Sequence, residues 1–239
     1  MSTTIWKRTG AFVMIGSMLA VNASAVAQQK PQDPDHPYAG SVTGMFHDQT
    51  AGENLGEYSV YLPSTIEQCV TGVMIAVPED MTAKAFTQSL LGQAWQAVSE
   101  KYGIALAFAE AEDGQDWKLD GKDGRDEAVY LKAVSDNFHS KNKQKDAAFN
   151  LNERAFYVVG YDEGGAAAQE FAMTWPALVC GAASVDGYAV PDAMVEQIGN
   201  TLSYPFVQAG SMAGQTENNI KNNEVPVPMW LVDAADSSK

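Results

Sequence analysis

Ala155-Phe-Tyr-Val-Val-Gly-Tyr-Asp-Glu-Gly-Gly-Ala-Ala-Ala is the stretch that decides how this chain is read. Its first half is β-branched and aromatic, the composition of a buried strand, and its second half is dense in alanine, the composition of a helix. Between them stand Gly160-Tyr161-Asp162-Glu163-Gly164. Glycines on either side of one central residue permit a tight strand-to-helix turn that holds the central side chain out of the sheet. That side chain is Asp162.

Outward from this turn, short apolar runs alternate with longer amphipathic ones. The apolar runs are Glu57 to Pro63, Gly72 to Val77, Gly103 to Ala109, Ala155 to Gly160, Cys180 to Val185 and Val227 to Val232. Several lack strict alternation, as strands buried on both faces of a parallel sheet do. Thr82 to Tyr102 carries Phe86, Leu90, Leu91, Trp95 and Val98 at helical spacing. Asp126 to His139 carries Val129, Tyr130, Ala133, Val134 and Phe138, and Gly165 to Thr174 runs up to Pro176. Strands alternating with helices of this length predict an α/β fold with a doubly wound, mostly parallel sheet.

Residues 1–25 read as a secretory signal. Lys7 and Arg8 precede an apolar run from Ala11 to Val21, and Ala23, Ala25 and Ala27 offer cleavage sites at A-x-A spacing. The run is shorter than the roughly 20 residues that span a bilayer, which argues against a membrane anchor. A secreted or periplasmic location is therefore expected. Residues 26–52, rich in Gln, Pro, Asp and Gly, read as a linker or arm holding His36 and His47, and residues 53–239 as the folded domain. Fifteen Lys plus Arg against 30 Asp plus Glu give a net charge of −15. Such a surface repels phosphate backbones, so nucleic acid is excluded as a partner. Cys69 and Cys180 would stand in an oxidising compartment, but their separation in sequence leaves a disulfide open.

From Tyr58 to Gly187 the chain resembles the secreted polyhydroxybutyrate depolymerases and the related feruloyl and acetyl-xylan esterases of the α/β-hydrolase fold. The resemblance rests on pieces in order: Tyr58-Ser-Val-Tyr-Leu-Pro, Gly72-Val-Met-Ile-Ala-Val, Trp95-Gln-Ala-Val-Ser-Glu-Lys-Tyr-Gly-Ile-Ala-Leu-Ala, and Trp117 followed by Gly124-Arg-Asp-Glu. Asn152-Glu-Arg-Ala-Phe-Tyr-Val-Val-Gly-Tyr-Asp-Glu-Gly-Gly and Met173-Thr-Trp-Pro complete it. It implies that Gly160 to Gly164 is the nucleophile elbow, with Asp162 at the nucleophile position and Asp233 or Asp236 at the acid position. It places the oxyanion at the Glu163 backbone N–H and at the loop containing Glu79, and substrate beside Trp117 and Tyr161. The substrate class implied is a small or polymeric carboxylic ester, with no cofactor and no metal.

Three departures cut against that pattern. Asp162 replaces serine, Pro78-Glu79 replaces a His-Gly pair, and no histidine follows His139 although the fold's base comes last in sequence. A piece of a longer hydrolase, a catalytically inactive pseudo-hydrolase that binds a polymer or glycan, and attack by Asp162 itself are the competing readings. An aspartyl ester intermediate would still need an activated water.

Carboxylates collect where strands should end: Glu79, Asp80, Glu110, Glu112, Asp113, Asp162, Glu163, Asp186 and Asp233. Such a rim would suit a hard cation or sugar hydroxyls, although an acidic protein places acids in loops in any case. Asp116, Asp120, Gly121 and Glu127 approach a calcium-loop spacing, but Lys118 fills a ligand position. Asp126 fits better at the start of the following helix. Trp95, Trp175 and Trp230 read as core, and His139 as a cap near a helix C-terminus.

Overall fold

The computed structural model describes residues 44–52, 54–64, 71–112, 116–119, 125–142, 156–203 and 220–233. The signal segment, His36, Cys69 with its pairing question, and Asp236 lie outside them. Seven strands form one sheet: β1 Met45–Gly52, β2 Gly56–Leu62, β3 Thr71–Ala76, β4 Ile104–Ala109, β5 Phe156–Tyr161, β6 Gly181–Val185 and β7 Met229–Val232, in the order β1-β2-β4-β3-β5-β6-β7. β1, β2 and β4 pair antiparallel, and β4 through β7 run parallel. The helices are α1 Ala83–Gln88, α2 Leu90–Tyr102, α3 Glu127–Asn142, α4 Glu163–Thr174 and α5 Asp192–Gly199.

The central strands are apolar on both sides because helices cover both faces. β3 sends Met74 and Ala76 into a cluster with Tyr130, Leu131, Val134 and Phe171 of α3 and α4. Its other face, Val73 and Ile75, followed by Val77, packs with Phe86, Leu106 and Phe108, against Leu91 and Trp95 of the α1–α2 layer.

The chain order β4-β3-β5 reverses the direction of winding at β3. In an open α/β sheet the crevice at such a switch point, outside the carboxyl ends of the strands, is where ligands bind. Register pairs Ala76 with Gly160. The loop after β3 therefore stands beside the turn after β5.

Three expectations are corrected. The stretch assigned to the arm contains β1, whose Phe46 packs on Tyr61 and Phe108 at 4.9 and 5.8 Å between ring centroids. β1 pairs only with β2, so it needs little apolar character of its own. The single helix expected over 82–102 is two helices. Ser89 ends α1 in extended backbone and caps α2, its Oγ accepting from the Gly92 N–H at 3.1 Å. Trp230, expected in the core, is 60% exposed on β7, which among the described residues pairs only with β6. Among the described residues no helix is long and apolar enough to cross a membrane.

Candidate active site

The turn after β5 is built by close packing. A Cβ on Gly160 would lie 1.9 Å from the Gly164 carbonyl oxygen, and one on Gly164 would lie 2.6 Å from those of Ala76 and Val77. Neither position has room for a side chain, so α4 starts directly against the ends of β5 and β3. Asp162 takes up the reversal at φ 54, ψ −127. This backbone region belongs almost wholly to glycine and costs an ordinary residue about 1–3 kcal/mol. The Asp162 N–H donates to Val185 O at 3.0 Å, while its carboxylate makes no capping bond to the helix it precedes. Its carboxylate thus plays no part in capping α4.

β3 is followed by Val77, whose carbonyl accepts from Trp117 Nε1 at 2.9 Å. Trp117, expected to touch substrate, is instead buried at 5% exposure. Its indole pins the loop that carries Glu79 rather than facing a ligand. Tyr161 is likewise turned inward: its hydroxyl accepts from Trp95 Nε1 at 2.8 Å and its ring lies 5.8 Å from that of Phe86. Both were read as substrate contacts because loop and strand-end positions alone do not reveal which way a ring points.

Three carboxylates converge at the elbow. One oxygen each of Glu79, Asp116 and Glu163 lies within 4.8 Å of the others. A hydrogen bond to Glu163, partial burial, and repulsion from Glu163, Asp116 and Asp162 together push the Glu79 carboxyl up to about 7. Near neutral pH Glu79 therefore carries a proton for about half the time, and that proton relieves the repulsion of the group. A hard divalent cation would relieve it by the same logic, with one oxygen from each residue.

The remaining acids separate into other roles. Glu110 accepts from the Ala83 N–H at the start of α1, at 2.5 Å. Glu112 accepts from the Arg125 N–H at 2.9 Å. Asp126 caps α3, accepting from Val129 N–H at 3.0 Å. The calcium-loop spacing dissolves, since Asp116 faces the elbow while Glu127 is buried against Arg125 at 2.8 Å. Asp233 sits exposed just beyond β7 and, with Asp186, borders a cavity next to the elbow.

No protein-family model matches the sequence, and no curated protein matches it. Solved structures do. S-formylglutathione hydrolase from Staphylococcus aureus superposes with a TM-score of 0.51 at 11% identity, over 78% of each chain. Fluorophosphonate-binding serine hydrolase F of the same organism gives 0.50 at 13%, over 80% of this chain and 91% of that one. Acetyl xylan esterase from Aspergillus awamori gives 0.49 at 15%, over 61% of this chain. This chain spans about half of that esterase, 53% of its length. With the strand order, the two Staphylococcus aureus likenesses show an α/β-hydrolase fold.

Proposed function

We propose that this protein hydrolyses carboxylic esters with a carboxylate pair at the elbow in place of a serine and histidine. The observation that carries the reading is the strained backbone of Asp162, a cost retained at the one turn from which this fold presents its reacting group. Asp162 acts as general base, taking a proton from water as the water oxygen attacks the ester carbonyl. The Glu163 backbone N–H, at the first turn of α4, faces the developing oxyanion. Glu79, in its protonated form, supplies the proton that the leaving alkoxide takes when the tetrahedral intermediate collapses. Water adds across the C–O bond, giving acid and alcohol.

The raised pKa of Glu79 supports its part in this division of roles. Glu79 is raised to about 7, so it still holds its proton for a substantial fraction of the time at neutral pH, as a general acid must. The signal-like residues 1–25 support export to the periplasm or the medium. Polymeric polyesters belong to the reading through the sequence resemblance, and small esters serve as its test.

The test is hydrolysis of p-nitrophenyl acetate and butyrate by the purified chain, by Asp162→Ala and by Glu79→Gln. Activity should vanish in Asp162→Ala; with ethyl butyrate, whose alkoxide leaving group needs a proton where p-nitrophenolate does not, the wild-type rate followed by pH-stat should fall above about pH 7 with a limb that Glu79→Gln removes. Equal rates for wild type and Asp162→Ala would overturn the reading. A second reading, a non-catalytic binder of a polymer or glycan, is favoured by the negative Glu79, Asp116 and Glu163 group at the place where an oxyanion must be held. Inactivity of the wild type toward every ester would leave that reading standing.

A further inference from the structure

Beside the elbow, between the carboxyl ends of β6 and β7 and the first turns of α4, lies a cavity of about 250 Å³. It is lined by Gln169, Ser184, Asp186, Tyr188, Leu231 and Asp233, together with Gly187 and Ala189. A Cβ on Gly187 would come within 2.8 Å of the Asp162 carbonyl oxygen, so the cavity and the elbow share a wall.

Its buried wall is built from polar groups. Gln169, 7% exposed, donates both hydrogens of its Nε2, one to Ser184 Oγ at 3.0 Å and one to the Tyr188 carbonyl at 2.9 Å. A carbonyl can only accept, so the amide orientation is settled and Oε1 is the atom left over. Among the described residues that oxygen has no partner. Ser184 is held against Gly165 and Gly187, where a Cβ at either would come within 2.4 Å of its hydroxyl. Above this floor stand the carboxylates of Asp186 and Asp233, both exposed. Asp186 sits at φ 56 and is tied down by its N–H to Val232 O at 2.7 Å.

We propose that this cavity is a subsite for a small primary ammonium group, carried by the substrate of the neighbouring elbow. The wall offers the amide oxygen of a buried side chain, open to the cavity, and two exposed carboxylates, and none of the described lining residues is Lys, Arg or His. A cleft lined by one sign of charge concentrates the opposite sign. An alcohol would satisfy Gln169 but not the negative charge of Asp186 and Asp233; an alkylammonium answers both. Leu231 and Tyr188 supply the apolar wall for its methylenes. The volume lies just below the range of about 300–1,000 Å³ for whole-ligand pockets, which suits one headgroup of a larger molecule. As a place on a substrate this rests on the ester-hydrolase reading; as a cation site it does not.

The test separates the two. Ligand-observed NMR measures binding of n-butylammonium and n-butanol to the full chain near neutral pH. The cation should bind at least about tenfold more tightly than the alcohol, with a preference that shrinks as salt rises. Asp186→Asn, a change at an exposed position, should abolish most of that preference, and Gln169→Leu should weaken the cation further where it folds. Equal binding of cation and alcohol, or Asp186→Asn binding the cation as wild type does, overturns the proposal. Turnover is then compared between p-nitrophenyl ε-aminohexanoate and heptanoate. A preference for the charged ester, lost in Asp186→Asn while the neutral ester is turned over as before, places the ammonium on the substrate. Cation binding without turnover of any ester keeps the site and removes the hydrolase reading. Turnover without charge preference removes the substrate assignment.

Discussion

Replacing Asp162 by glycine should stabilise this protein, although glycine ordinarily destabilises folded chains. At φ 54, ψ −127 a residue with a Cβ bears about 1–3 kcal/mol of backbone strain that glycine does not. Against this stands the larger conformational entropy of glycine in the unfolded chain, roughly 0.5–1 kcal/mol relative to alanine. Removing the charge also matters, because Asp162 is among the groups that repel Glu79. Asp162→Ala isolates that contribution, since it deletes the carboxylate and keeps the Cβ. The decisive quantity is therefore the difference between Asp162→Gly and Asp162→Ala, expected to favour glycine by about 0.5–2 kcal/mol. For a chain of this size about 2–4 °C accompanies each kcal/mol, so the glycine variant should melt roughly 1–8 °C above the alanine variant. Urea unfolding followed by tryptophan fluorescence gives the free energies, and calorimetry gives the midpoints. Alanine equal to or more stable than glycine would refute the claim that the elbow stores strain at this residue.

Other consequences follow from the same geometry. Glu79 and Glu127 are both raised to about 7, the first by its hydrogen bond to Glu163 and the second by burial against the opposing pull of Arg125. A carboxyl whose folded pKa is raised holds its proton more tightly folded than unfolded, so stability should fall as pH climbs from about 4.5 to about 7 and level off above. Thermal melts across that window check the sign, and Glu79→Gln should flatten part of the slope. Trp117→Phe should cost about 1–3 kcal/mol by orphaning the Val77 carbonyl, and should lower any activity more than the stability loss explains. Arg125 donates to Glu127, Leu55 O and Glu110 O and stacks 3.5 Å from the Tyr130 ring centroid. Arg125→Met should therefore cost about 3–5 kcal/mol in urea unfolding, while Arg125→Met with Glu127→Leu should recover part of it, because the second change removes a buried carboxyl left without its partner.

Where the sequence was legible, one physical reason accounts for it. β2 through β6 are buried, and burial forces apolar side chains that a linear reading can see. β1 escaped because its Met-Phe-His-Asp-Gln-Thr-Ala-Gly needs only to pair with β2 at the edge of the sheet. α5 escaped because it is only eight residues long, so Met194, Val195 and Ile198 make too short an apolar stripe to stand out from a loop. The break at Ser89 was hidden by leucines and a tryptophan that keep their helical spacing through it. At the site, Asp162 was legible from its flanking glycines, but the partner acids were not. Glu79 and Glu163 are 84 positions apart, and only the placement of β3 between β4 and β5 brings them together. A faint signal existed, since both stand just past the end of an apolar run. Pairing those two run-ends required a strand order that composition does not encode. The inward turn of Trp117 and Tyr161 had no signal at all, because a ring in a loop reads the same whether it faces a ligand or a carbonyl.

The scarcity of histidine and the substitution at the elbow belong to one chemical argument. The chain has three histidines, all earlier in sequence than Asp162. A serine at the elbow without an imidazole beside it would keep its proton at neutral pH and remain a weak nucleophile. Under the ester-hydrolase reading, a carboxylate at this position accepts a proton from water without such activation. The leaving alkoxide needs a proton as well, and the proposed division of roles draws it from a separate carboxyl. A second carboxyl with a raised pKa answers that need, and crowding Glu79 against Glu163, Asp116 and Asp162 raises it without deep burial. The same crowding makes the site depend on pH in a way a histidine-based one does not. Activity should decline above about pH 7, as Glu79 loses its proton, where a serine–histidine hydrolase with a neutral imidazole as base becomes fully competent. A rate that instead rises through that range and reaches a plateau would show that Glu79 is not the acid.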